Sequence, residues 1–418
     1  MIRTVVLSIT LAASAAGASQ ADPAADLPPT ALVEKALAAY PPVRAAREGV
    51  TLELAGRRRL EAGPYEFAIR GGYQNHSLPA GRFSEVEIGI ERPIRLPDKA
   101  RIDVALGDQN VELARRASYS AWCDGARHLL QLWYGWAREN VQLVLWSQQF
   151  QALNEQASIV RRRAAAGDAP RVEVNLAEAS AAQAEAVVEN YRGREQGARA
   201  ALERTFPAVP VPGIASVGRP QPLDQSLDWF VDRVRAHNDE VRLARAASRR
   251  GLLVAKRAHA EQRPDPAVGV RLANDRSASD RIAGLYLVVP LPGEARRALA
   301  DGARAQAAVA ASHEAAVVQR VTADVARMHG EARGAFNAWE KARSAADGMQ
   351  RNAESMNRSW QLREASLSDV LVARRLALES ALAAAMARIE AEETRYRLLV
   401  EAHVLWNDPE EEAEEHKD

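Results

Sequence analysis

Tyr65-Glu66-Phe67-Ala68-Ile69-Arg70-Gly71-Gly72-Tyr73-Gln74 interrupts a chain that otherwise reads as helix, and its period is two. Tyr65, Phe67, Ile69, Gly71 and Tyr73 fall on one face of an extended segment and Glu66, Arg70 and Gln74 on the other, which predicts a strand with one apolar and one polar side. Beyond the turn-rich stretch 75–82, Val86, Ile88 and Ile90 alternate with Glu85, Glu87 and Glu91, so strands over 65–74 and 83–92 make a hairpin. A second hairpin is predicted over 266–273 and 281–290, with Val268, Val270 and Leu272 in its first strand and turn residues between Asn274 and Asp280. Strands of about 9 to 11 residues cross an outer-membrane bilayer when tilted. The competing reading is a small soluble sheet.

Helical sequence surrounds both hairpins. The chain is rich in Ala, Leu, Arg and Glu, strong helix formers, and has aromatics at only 5%, which favours close-packed helical seams. Ala31 to Ala62 reads as helix, and from Lys99 to Arg163 no proline interrupts, about 100 Å of helix at 1.5 Å per residue. Leu129, Trp136, Leu143 and Phe150 recur at heptad spacing, with Leu132, Trp146, Leu153 and Val160 on the adjoining seam. Gly167-Asp168-Ala169-Pro170 then breaks the helix, and an antiparallel partner returns to Phe206. After the second hairpin the same scheme runs from Glu294 to Leu362, turns over Arg363 to Ser368, and returns with Leu382, Ile389, Tyr396 and His403 at heptad spacing.

The two halves match in order. Val43-Arg44-Ala45-Ala46-Arg47 aligns with Val241-Arg242-Leu243-Ala244-Arg245, and Pro64 aligns with Pro264. Glu91-Arg92-Pro93-Ile94 aligns with Val288-Val289-Pro290-Leu291, and Glu173-Val174-Asn175-Leu176-Ala177 with Asp369-Val370-Leu371-Val372-Ala373, at an offset that stays between 196 and 200. The expected organisation is a signal peptide over 1–21, a first repeat over 22–207, a Pro/Gly-rich linker over 208–222, a second repeat over 223–406 and an acidic tail over 407–418.

The first segment has Arg3, an apolar run from Val5 to Ala16 and small residues at Ala16-Gly17-Ala18 and Ser19-Gln20-Ala21, a secretory signal cleaved after Ala18 or Ala21. No later stretch is apolar for long enough to span a bilayer as helix, and no cysteine follows the cleavage region to carry a lipid. With 55 Lys+Arg against 55 Asp+Glu, the chain lacks the basic excess of a nucleic-acid binder. Motifs for nucleotide, acyl or zinc chemistry are missing, so no catalytic residue, cofactor or metal ligand is expected. The eight histidines form no helical i,i+3 or i,i+4 pair, and the one cysteine, Cys123, reads as a small packed residue. Four strands per chain are too few to close a barrel, and open edges are not tolerated in hydrocarbon, so membrane strands would have to be shared among several chains.

Export signal, duplicated helix–hairpin–helix units and the paired tip motifs at Glu173 to Ala177 and Asp369 to Ala373 resemble the TolC-like outer-membrane efflux family. The resemblance implies a mainly α fold with a transmembrane β-barrel part: a homotrimer whose twelve-stranded barrel, set in outer-membrane lipid, stands on an α-helical periplasmic tunnel. It implies docking to a periplasmic adaptor protein and an inner-membrane pump of the RND type through the helical tips, here Gly167, Asp168, Ala169 and Pro170, and Arg363, Glu364, Ala365 and Ser366. The family's second tip often reads Asp-Val-Leu-Asp-Ala, whose acidic residues ring the closed entrance; Asp369 keeps the first position while Val372 replaces the second. Trp360 stands at the bulky gating position, and the tip glycine is kept as Gly167 but replaced by Arg363. Asp369 is also suited to capping the helix after the turn, as is Ser368.

The compact length, the missing lipid-anchor cysteine and the acidic tail resemble the heavy-metal branch, which exports cobalt, zinc, cadmium or nickel. Drug efflux and type I secretion are the alternatives within the family. Outside it stand a trimeric adhesin, whose strands would end the chain, and a periplasmic coiled-coil scaffold.

Overall fold

The computed structural model describes residues 26–63, 65–79, 81–275 and 280–409. The signal segment, Pro64, part of the second hairpin turn and residues 410–418 of the acidic tail lie outside the described residues. Two similar units follow one another. The first comprises α1 (Thr30–Ala39), α2 (Pro41–Ala62), β1 (Ala68–Leu78), β2 (Gly81–Pro93), α3 (Pro97–Ala165) and α4 (Arg171–Thr205). The second comprises α5 (Leu227–His237), α6 (Asp239–Ala260), β3 (Ala267–Asp275), β4 (Asp280–Val288), α7 (Glu294–Gln361) and α8 (Leu367–Glu401).

The helix expected from Ala31 to Ala62 is two helices. Proline crowds the residue before it out of the α region, so Tyr40 is extended (ψ 127°) and Pro41 starts α2 at the position where its missing N–H costs nothing. At the matching place in the second unit the device differs: Asn238 ends α5 and caps α6 by accepting from the Val241 amide at 3.2 Å. The strands are also shifted. β1 starts at Ala68 and runs through residues read as turn, because its pairing with β2 continues from Ala68↔Glu91 to Leu78↔Gly81.

The four strands form one antiparallel sheet in the order β1-β2-β3-β4, so the two hairpins join through β2 and β3, with Val86 opposite Asn274 and Pro93 opposite Ala267. Two helical hairpins extend from it, α3 with α4 and α7 with α8, and α3 also meets α6 and α8. α3 has 69 residues and α7 has 68, about 100 Å each. The heptad seam of α3 is buried deepest at Leu129 and Trp136, which pack with Val33, Leu37, Leu202 and Phe206. A second cluster gathers Phe230, Val241, Val321, Val325 and Leu398 of the other unit.

The expected linker is not loose. Phe206 and Val209 are buried, Asn140 on α3 donates to the Gly213 carbonyl at 3.2 Å and accepts from the Ala215 amide at 2.9 Å, and Arg388 on α8 donates to Gly218 at 2.7 Å. Nor does the tail begin at residue 407: Trp406 and Asp408 are buried, and Trp122 donates to the Trp406 carbonyl at 2.8 Å.

Where strands give way to helices, charge is buried. Lys99, with no exposed surface, donates from Nζ to Glu261 Oε2 at 3.2 Å and lies 3.1 Å from Asp265 Oδ1. Asp265 also accepts from the Leu96 amide at 3.1 Å and the Tyr65 hydroxyl at 2.5 Å. Beside it Asp103 accepts from Arg257 at 2.5 Å and Arg95 at 3.1 Å, and Arg95 reaches the carbonyls of Leu60 and Glu61 at 2.7 Å. The knot joins α2, α3, α6 and both hairpins. Burial alone would raise the carboxyls of Glu261 and Asp265; hydrogen bonds from Arg257 and Lys99 to the first, and from Tyr65, Leu96 and Lys99 to the second, outweigh it and hold both below the usual carboxylate range.

Lys99→Met takes one donor from each of two carboxylates that keep others, Arg257 and Arg296 on Glu261 and Tyr65 and Leu96 on Asp265, and is expected to destabilise the purified protein by about 1–3 kcal/mol in urea unfolding at pH 7. Because both carboxyls are held low, their contribution is present above their unfolded values and is lost as the pH falls through their folded ones, so the deficit of the variant shrinks below about pH 4.

Candidate functional site

Register puts the apolar strand residues on one face. Ile69 and Tyr73 of β1 stand beside Ile90 and Val86 of β2; Ile88 and Ile90 stand beside Leu272 and Val270 of β3; Val270 and Val268 stand beside Leu285 and Leu287 of β4. All are exposed, Leu285 at 83% and Ile69 at 76%. The opposite face is charged and internally paired. Arg70 donates to Glu91 at 2.6 Å, Tyr286 to the same carboxylate at 2.8 Å, Arg271 lies 3.9 Å from Glu87, and His76 pairs with Glu85 at 3.1 Å. Tyr286 packs over Gly269, its cross-strand neighbour, where a Cβ would meet the ring at 2.3 Å. The sheet is thus inverted relative to a soluble protein, its apolar face exposed and its charged face internally paired, and β1 and β4 are free edges in this chain. No helix among the described residues is long and apolar enough to cross a membrane.

At the far end the two helical hairpins turn identically. In the first, the amides of Ala166, Gly167 and Asp168 donate to the carbonyls of Arg162, Ala164 and Arg163; in the second, those of Leu362, Arg363 and Glu364 donate to Arg358, Trp360 and Ser359. The backbone passes through the left-handed region at Gly167 (φ 80°) and at Arg363 (φ 67°), so the second turn holds the geometry without its glycine. The turns touch: Asp168 Oδ2 accepts from Arg363 at 2.9 Å and from Arg163 at 3.2 Å. Pro170 is the N-cap of α4, Ala169 and Ala365 pack against the tip core, and Glu364 is exposed.

Asp369 and Trp360 are both held by their own chain. The cap of α8 is Ser366 rather than Ser368 or Asp369: its hydroxyl accepts from the Asp369 amide at 3.2 Å, and the Asp369 carboxylate accepts from the Ser366 amide at 3.2 Å and hydroxyl at 2.6 Å, a reciprocal capping box. Those two hydrogen bonds from Ser366 hold Asp369 below the ordinary carboxylate range, so the exposed side chain is an anion at any neutral pH. Trp360 does not face open space in this chain. It is 6% exposed, packed with Val160, Ala177, Leu367 and Val370, and covered by the Arg163 guanidinium 5.3 Å from its ring centre.

One cluster escaped the sequence because its members are far apart in it. Cys123 of α3, Asp239 at the start of α6 and His403 just past α8 are all buried, and one ligand atom of each lies within 4.8 Å of the others. His403 occupies the left-handed position (φ 52°) that closes α8, where glycine is usual, and its Nδ1 is hydrogen-bonded to the Tyr119 hydroxyl. Burial lowers the ring to about 4, with Arg127, His237 and Arg242 acting in the same direction against Asp239, so the imidazole is neutral at pH 7. The heptad reading of His403 as a seam residue captured its burial but not its neighbours.

No family model matches the sequence, and no curated protein does. Solved structures do. The chain superposes on the outer membrane protein VceC of Vibrio cholerae with a TM-score of 0.72 at 16% identity, over 90% of this chain and 95% of that one. A membrane protein from Pseudomonas aeruginosa gives 0.76 at 16% identity over 90% of each chain, and the Campylobacter jejuni CmeC outer membrane channel gives 0.74 at 11% over 93% and 88%. By shape, then, this chain has the fold that these outer membrane proteins share.

The two turns make opposite predictions. Gly167→Ala, whose added carbon meets nothing within 4 Å, is expected to cost about 1 kcal/mol through backbone strain alone. Arg363→Gly relieves such strain while losing an exposed ion pair that contributes about 0–1 kcal/mol, so chemical denaturation is expected to show a small gain or no change.

Proposed function

We propose that the protein is the outer-membrane channel of a tripartite efflux system, a passive duct and not an enzyme. The observation that carries this reading is the inverted sheet. Each exposed Leu, Ile or Val on its outer face would gain about 1.5–3 kcal/mol on leaving water, which hydrocarbon supplies. Its two free edges are incompatible with hydrocarbon unless another strand pairs with them. A homotrimer brings four strands from each chain and closes a barrel of twelve, with Arg70, Glu85, Glu87 and Glu91 lining a water-filled lumen. The long helical hairpins continue the duct away from the membrane, and the tips at Gly167 to Pro170 and Arg363 to Ser366 meet a periplasmic adaptor, through which an inner-membrane pump supplies the energy.

Asp369 acts at the narrow end. Its carboxylate is fixed by Ser366, exposed and ionised, and three copies form a ring that attracts cations; Trp360 reaches such a lumen only if the tip repacks. For the cargo we favour divalent cobalt, zinc, cadmium or nickel, on the sequence resemblance to the heavy-metal branch. Drug efflux is the second reading. A strain lacking the gene is expected to become sensitive to these metal salts and to recover on complementation; sensitivity to organic compounds alone would transfer the cargo to drugs.

The sheet gives a sharper test. Leu285→Arg places a cation on the lipid face, expected to cost about 2–4 kcal/mol and to lower the yield of heat-resistant oligomer in the outer-membrane fraction. Gln74→Arg on the opposite face is expected to leave assembly intact and change single-channel conductance. Recovery of the wild-type chain as a soluble periplasmic protein would overturn the channel.

Asp369→Asn is expected to weaken cation selectivity and divalent block in planar bilayers. Ser366→Ala removes the cap, costs about 1 kcal/mol, and is expected to leave selectivity in place.

A further inference from the structure

Cys123, Asp239 and His403 bring sulfur, oxygen and nitrogen donors to one buried point from three separate elements. We infer that they form a site for a single divalent cation of the zinc class, which ties α3 to the N-terminus of α6 and to the segment that follows α8.

The donor set fits that class. A thiolate and an imidazole select borderline transition-metal ions over calcium or magnesium, and a carboxylate adds a third donor of the zinc or cobalt kind, leaving the fourth tetrahedral position to water. Metal–ligand bonds of about 2.0–2.3 Å place tetrahedral donors roughly 3.4–3.8 Å apart, so the sulfur, a carboxylate oxygen and one imidazole nitrogen, already within 4.8 Å of one another, need to close by about an ångström, with the ring turning to present Nε2 where Nδ1 is the nearer nitrogen. Charge closes too: one thiolate and one carboxylate neutralise a divalent ion.

The surroundings supply what a ligating histidine and carboxylate need. His403 is hydrogen-bonded at Nδ1 to Tyr119, while its buried Nε2 has no hydrogen-bond partner. Coordination through Nε2 satisfies that atom and keeps Tyr119 as the outer partner that fixes the ring. Asp239 accepts from Ser120 at 2.8 Å and from Arg127 at 2.7 Å, which orients the carboxylate and leaves lone pairs on it. Arg127 does not depend on Asp239 for its counter-charge, since Glu401 takes it in a fork at 2.7 and 3.2 Å and Asp124 accepts at 2.8 Å. The site is independent of the channel reading, because it lies among the helices and involves neither strand nor tip.

The chain's only cysteine makes the test specific. Full-length protein purified in mild detergent is stripped with chelator and titrated with cobalt(II). The expected result is one cobalt per chain with a thiolate-to-cobalt charge-transfer band, lost in Cys123→Ser, retained in Tyr119→Phe and displaced by zinc. Zinc is also expected to raise the melting temperature of the wild type and not of Cys123→Ser. A folded wild type with no such band, or a cobalt spectrum unchanged in Cys123→Ser, would overturn the site. If Cys123→Ser does not fold, the wild type decides alone: stoichiometric zinc is expected to slow alkylation of Cys123 at least tenfold, and an unchanged rate would refute the proposal.

Discussion

Lys99 carries its charge at a place with no exposed surface, and a bare ammonium there would be prohibitive. Its acceptors, Glu261 and Asp265, come from the other half of the chain, so the first unit is complete only when the second is in place. The same carboxylate that receives Lys99 receives the Tyr65 hydroxyl and the Leu96 amide, one from the approach to the first hairpin and one from its exit. This knot sits at the boundary between two solvents in the proposed assembly. Above it the sheet turns its oil outward; below it the helices turn theirs inward. A low-dielectric strand end abutting a hydrated helix needs a joint that cannot slide, and interlocked ion pairs with fixed hydrogen-bond directions provide one.

Much of this was legible in the sequence because it repeats. Alternation around Ile69 to Tyr73 and at Glu85 to Glu91 marked the strands, the heptads at Leu129 and Trp136 marked the deepest seam, and the nearly constant offset between halves paired the two turns. What was misread was local and tertiary. Pro41 breaks a run whose composition is helical throughout, and β1 extends through polar residues because its partner strand continues opposite them. The linker's prolines and glycines do signal irregular backbone, yet that backbone is pinned by Asn140, Arg199 and Arg388, which no motif or period singles out.

The candidate site residues divide along the same line. Asp369 was visible as a tip acid, but its fixed geometry depends on Ser366, whose role as cap emerges only from where the turn ends. Trp360 was singled out by its distance from the tip, but a side chain at a helix end has several directions open to it, and here it packs into the tip core. Cys123, Asp239 and His403 share no periodicity, since a site built from three elements leaves no spacing to find.

The matched turns carry a consequence for symmetry. Gly167 and Arg363 give the two hairpin ends the same backbone path, while their side chains differ as much as any two can. In a threefold assembly such ends alternate around one rim. A partner that feels the path of the backbone meets six equal stations there, and a partner that feels charge meets three and three. Such an assembly would present one rim with two counting rules, and the stoichiometry of a protein bound there would depend on which rule that protein reads.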